Sequence, residues 1–143
     1  MSRLPRMISA VLTEVSQKLL KTKIGEPQYK KIYCHHVTMA YKPTEQDVLN
    51  LEKIVQNGQE VVIKLGRKLW ANGVEAVEAQ VIEPQSQQLI PIKNSHPHIT
   101  ISTDNKPPVL SNDMLAGKGD FTNGFDGAQL IGGHIHAIIV YEY

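Results

Sequence analysis

The feature that most constrains the fold is the dipeptide Asn72-Gly73, set between two long runs of strand-forming residues. A type I′ turn needs positive φ at both central positions, and Asn-Gly is a preferred pair for it. Val61 to Ala71, before the turn, is rich in β-branched residues. In Val74 to Ile82, after it, Val77, Ala79 and Val81 alternate with polar residues. Runs joined by two turn residues pair antiparallel, so a long hairpin is predicted and an antiparallel sheet must be built around it.

The flanking segments supply more strands and some helices. Met7 to Leu12 is a short apolar run predicted as the first strand. From Thr13 the period changes, and Val15, Leu19 and Leu20 fit one helical face, with Thr13 or Ser16 as cap and Gly25-Glu26-Pro27 as the stop. Thr44 caps a second helix with Glu45 and Asp47 in its first turn, an apolar stripe of Val48, Leu51, Ile54 and Val55, and an end at Asn57-Gly58. Pro107-Pro108 blocks regular structure, and Ser111 is predicted to cap a short helix through Met114 and Leu115. The glycine-rich stretch Gly117 to Gly127 reads either as a mobile loop over a cleft or as a connection, and Gly133 to Tyr143 reads as the last strand. The class is α+β. At 143 residues the chain suits one domain, 1–143, with core enough to fold without staples.

Two further strands carry a repeated triplet, His36-Val37-Thr38 and His98-Ile99-Thr100. Side chains two apart in a strand share a face, roughly 6.5–7 Å apart. His36 and Thr38 are thus predicted on one face, with Val37, Met39 and Tyr41 on the other. In the second copy His98, Thr100 and Ser102 oppose Pro97, Ile99 and Ile101. His35 should point away from His36. Burial explains the apolar faces but not the repeated imidazole and hydroxyl. Histidine exchanges protons near neutrality, so a pair can act as general base and general acid. Hydroxyls beside them can hold phosphoryl oxygens.

At these residues the chain resembles the two-histidine (2H, LigT-like) phosphoesterases, whose mark is a pair of His-x-Thr/Ser motifs. The separation of His36 and His98, 62 residues (98 − 36), is ordinary for compact members. The phrases "HHVTMAYKP", "PHITIST" and "KPPVLSNDML" are similar to the phage branch, the anti-CBASS nucleases. The resemblance implies a two-lobed fold with antiparallel sheets around a central cleft and helices outside. It implies a metal-independent phosphodiesterase with His36, Thr38, His98 and Thr100 as catalytic residues and no cofactor. The implied substrate is a cyclic or short oligonucleotide used in immune signalling. The alternatives are a 2′,3′-cyclic phosphate at an RNA end, a 2′,5′-oligonucleotide, and a nucleotide-binding module without turnover.

Composition narrows the setting. A formal net charge of +1 argues against broad adhesion to long nucleic acid or to an anionic membrane. No stretch has the roughly 18 apolar residues of a membrane span, and no signal segment is evident, so a cytoplasmic protein is predicted, in the host cytoplasm if viral. Cys34, the only cysteine, reads as a small packing residue rather than a nucleophile. His134-Ile135-His136 and His96 invite a metal reading, but no ligand set completes it. Trp70 is either a core residue or a stacking platform for a base, and Tyr41, Lys42 and Ser102 are further candidates for substrate contact.

Overall fold

Asn72 and Gly73 have φ of 45° and 82°, and the predicted hairpin forms around them. The computed structural model describes residues 3–143. In chain order the elements are β1 (Met7–Leu12), α1 (Glu14–Ile24), β2 (Lys31–Ile32), β3 (His36–Tyr41), α2 (Glu45–Glu52), β4 (Glu60–Ala71), β5 (Val74–Ile82), β6 (His98–Thr103), α3 (Leu110–Ala116), a 3-10 turn (Gly119–Phe121), β7 (Gly127–Leu130) and β8 (His134–Glu142). The class is α+β, as expected.

The sheet is antiparallel and closes on itself. Six strands run in the order β6-β3-β1-β8-β4-β5, and β5 pairs back onto β6. The expected arrangement of separate sheets facing across a cleft is therefore replaced by one closed ring. The reason is that β6 uses both edges, one for β3 and one for β5, which joins the hairpin to the motif strands. Closure removes the open edges that a flat sheet would leave unpaired.

Alternation fills the barrel. Ile8, Val37, Ile63, Val77, Ile99 and Ile139 come from all six ring strands and are fully buried in one cluster. Each such aliphatic side chain contributes about 1.5–3 kcal/mol by leaving water. A second cluster, with Leu69, Ala76, Met114 and Phe121, seals the hairpin end under α3.

Several local readings need correction. The buried face of α1 is Ser16, Leu20 and Ile24, while Val15 is 77% exposed. Ser16 faces inward because its hydroxyl accepts the backbone N–H of His136 on β8 at 2.8 Å. The helix begins at Thr13, whose hydroxyl accepts the Ser16 N–H. Thr44 and Asp47 form a reciprocal capping box on α2, which ends at Glu52, before Asn57-Gly58. Ser111 lies inside α3 rather than capping it, and the first turn is closed by the N–H groups of Leu110 and Ser111 on the carbonyls of Pro107 and Pro108. The Gly117–Gly127 stretch is a connection: Phe121 is buried beside Met114, and none of its residues lines the main cavity. Among the described residues no helix is long and apolar enough to cross a membrane.

Candidate active site

The two His-x-Thr triplets lie side by side. Val37 is paired with Ile99, both fully buried, and each is flanked by its motif histidine and threonine. With Val37 and Ile99 turned into the core, His36, Thr38, His98 and Thr100 face outward into a cavity of about 780 Å³. Pairing between β3 and β6 is confined to that single residue pair, and the cavity opens where the strands part. Beyond it, the carbonyl of Met39 accepts the N–H of Lys93, so the segment before β6 forms a wall with Lys93 and Asn94.

The two imidazoles are held differently. His98 Nδ1 lies 2.8 Å from the carbonyl of His96. A carbonyl only accepts, so Nδ1 carries the proton and the neutral ring keeps a bare Nε2. His96 is itself positioned, since its N–H donates to Asn94 Oδ1 and Asn94 Nδ2 donates to Asn112 Oδ1 at 2.6 Å. His36 Nδ1 instead meets His35 Nδ1 at 2.6 Å. Burial lowers the pKa of His36 from 6.5 to about 4, helped by the neighbouring His35 and His98 and opposed by Glu142. Burial also lowers the pKa of His98, against the His96 carbonyl, which raises it. Both rings are therefore neutral bases in the resting site. Thr100 Oγ1 shares a 2.9 Å hydrogen bond with the buried Ser111 Oγ, which orients the hydroxyl.

Strand irregularities decide which other candidates reach the cavity. His35 lines it, contrary to simple alternation, because Cys34 has φ of 63° and the regular strand begins only at His36. Tyr41 lines it too, although its parity with Val37 argued otherwise. The register of β1 against β3 shifts between Ile8 and Ser9, which turns Ala40 inward and leaves Tyr41 65% exposed. Lys42 does not line the cavity, and its ammonium lies over the Tyr41 ring at 5.5 Å. Ser102 is fully buried elsewhere, donating to Glu75 Oε1 at 2.7 Å and accepting from the Tyr29 N–H. Glu75 in turn faces the buried Lys68 ammonium at 3.5 Å, so Ser102 belongs to an internal polar cluster.

Trp70 also lies off the cavity. It is half-buried, opposite Gly127 of β7 in the sheet, and a Cβ on that glycine would stand 2.0 Å from the indole. Strand β7 therefore covers the Trp70 ring. Cys34 is fully buried with its thiol pushed up to about 11 by burial, which suits packing and not nucleophilic attack. His136 faces Glu60 at 3.2 Å on the exposed side of β8, and no metal-holding cluster of His, Cys, Asp or Glu occurs among the described residues. Tyr33, Lys93, Asn94 and Asn112 of the cavity lining, and Ser111 as the partner of Thr100, were not read from the sequence as site residues. The string "SNDML" around Ser111 and Asn112 was the only signal for two of them.

Paired His-x-Thr strands facing one cavity, on an antiparallel barrel with helices, define a two-histidine phosphoesterase. Residues 16–132 match the model of the fungal tRNA ligase phosphodiesterase domain, and the chain belongs to that family. It is accordingly an enzyme of the phosphodiesterase class, a hydrolase acting on phosphodiester bonds. No curated protein matches the chain in sequence. Among solved structures it is similar to a fungal RNA kinase crystal structure, with a TM-score of 0.61 at 12% identity. That alignment covers all of this chain and 46% of the other, and at such identity it speaks for the fold alone.

Proposed function

We propose that the cavity hydrolyses a 2′,3′-cyclic phosphate at an RNA end without a metal. The observation that carries the reading is the convergence of His36, Thr38, His98 and Thr100 on one cavity of nucleotide size. Family membership favours RNA processing as the setting. Nothing in the comparisons supports the cyclic-oligonucleotide immune signal, which becomes a competing arm of the test.

The chemistry follows from the groups. One imidazole takes a proton from water as the water oxygen bonds to phosphorus. The other gives a proton to the ribose oxygen as its bond to phosphorus breaks. Thr38 and Thr100 donate to the non-bridging oxygens, and the Lys93 ammonium, paired with Asp47 at 3.0 Å, adds positive charge at the wall. Tyr33 and Tyr41 offer ring faces to the terminal base, where stacking is worth ~1–3 kcal/mol. Trp70, Ser102 and Lys42 have no part in this account.

The test is incubation in EDTA with a short RNA ending in a 2′,3′-cyclic phosphate, beside cyclic dinucleotides and trinucleotides, read by mass spectrometry. Gain of one water by the RNA end alone is expected. Cleavage confined to the cyclic oligonucleotides, or binding of the RNA end without turnover, would overturn the reading.

A further inference from the structure

We propose that His35 is a positioning residue that forms a proton relay with His36, and that this makes His36 the general acid and His98 the general base. The inference rests on the phosphodiesterase reading above. Its starting point is geometric. Two ring nitrogens, His35 Nδ1 and His36 Nδ1, lie 2.6 Å apart, with the ring centres 4.6 Å apart and the planes inclined by only 22°, so the rings meet edge to edge. At that separation two lone pairs repel, and so do two N–H groups. One proton must lie between the rings.

Solvation says where an added charge goes. His36 is partly buried inside the site, whereas His35 faces solvent. Burial penalises charge on His36, so a proton added to the pair is better solvated on the exposed outer ring. A charged His35 has both nitrogens protonated and can only donate. His36 Nδ1 then accepts, which leaves the His36 proton on Nε2. His98 has the opposite tautomer, fixed by the His96 carbonyl, with a bare Nε2. The charged and titratable groups around the pair are Tyr33 on the approach to β3, His98 and His96 on and before β6, Lys93 at the wall, and Glu142 of β8, which is tied to Arg6.

The step balances. Water oxygen bonds to phosphorus, and its proton goes to His98 Nε2. The bond from phosphorus to the ribose oxygen breaks, and that oxygen takes the proton from His36 Nε2. The His35 Nδ1 proton moves to His36 Nδ1 in the same event. One positive charge starts on His35 and ends on His98. His98 then loses its proton to water, His36 Nε2 takes one up from water, and the His36 Nδ1 proton returns to His35 Nδ1, which restores the start.

The tests are ¹⁵N imidazole NMR of the free protein through an acid titration, and pH–rate profiles of wild type, His35→Phe and His35→Asn. His36 should carry its proton on Nε2, with Nδ1 accepting from His35. His35→Phe keeps a ring of similar size, and His35→Asn keeps a polar group near the Nδ1 position, but neither holds a proton charge. Both should lose roughly 10- to 100-fold in kcat with KM little changed, within the range general acid catalysis supplies. Their alkaline limb should move to lower pH. A His36 proton on Nδ1, or a wild-type pH profile in either variant, overturns the relay. Absence of any turnover in wild type would instead sink the phosphodiesterase reading, and the NMR titration still decides the proton arrangement.

Discussion

Acidification from pH 7 to pH 4.5 should cost the fold about 2–3 kcal/mol through His36 alone. The folded ring has its pKa lowered to about 4, against 6.5 for the free side chain, because burial penalises its charged form. A histidine with a lowered folded pKa is protonated more readily in the unfolded chain, so stability rises with pH. Its contribution is fully present above pH 6.5 and is lost as the pH falls towards 4. At pH 4.5 the unfolded ring is almost wholly charged while the folded ring is about three-quarters neutral, which gives roughly 2.5 kcal/mol by linkage. His98 adds in the same direction. The assay is urea unfolding at pH 7 and 4.5 for wild type and His36→Asn. The variant should lose about 2 kcal/mol less than wild type over that interval. Equal acid losses in the two proteins would refute the claim that folding keeps His36 neutral.

Other consequences are expected. Gly127→Ala should destabilise by at least ~1–3 kcal/mol, because the new methyl meets the rigid Trp70 ring, with a shift in tryptophan fluorescence. Trp70→Ala should lower the melting temperature by an amount worth ~2–3 kcal/mol, less than a fully buried ring, while kcat/KM per folded molecule stays unchanged. A selective loss of nucleotide binding would restore the stacking role instead. Ser111→Ala should cost ~1 kcal/mol of stability and lower kcat several-fold, since it frees the Thr100 hydroxyl to rotate. Denaturant unfolding beside single-turnover kinetics separates these effects.

The signals that could be read in sequence were local ones. Asn72-Gly73 named its own turn because only special residues take positive φ twice, and Thr44 named itself as the cap of α2, though the reciprocal bond from Asp47 appeared only in the structure. That His36, Thr38, His98 and Thr100 line one cavity was legible because a repeated polar pair on apolar strands has no use in packing. What alternation could not give was the effect of single irregular residues. The positive φ at Cys34 and the register shift beside Ile8 each turned a side chain, His35 and Tyr41, into the cavity. Long-range placement was equally silent. Nothing local says that β7 covers Trp70, that Glu75 holds Ser102, or that Asn112 reaches Asn94 across the cavity wall. Ring closure through the pairing of β5 with β6 is a property of the whole chain, and no window of sequence contains it.

The most direct test of the central claim is the rate of cyclic-phosphate opening by wild type, His36→Ala and His98→Ala in EDTA, measured with folded protein confirmed by circular dichroism. Each single variant is expected to lose ~10²–10⁴-fold, the usual range for removing a general acid or base. The double variant should lose little more than the worse single one, since the two proton transfers belong to one displacement at phosphorus and the rings act as a unit. Near-wild-type rates in either single variant, or activity that disappears in EDTA and returns with zinc, would contradict the account.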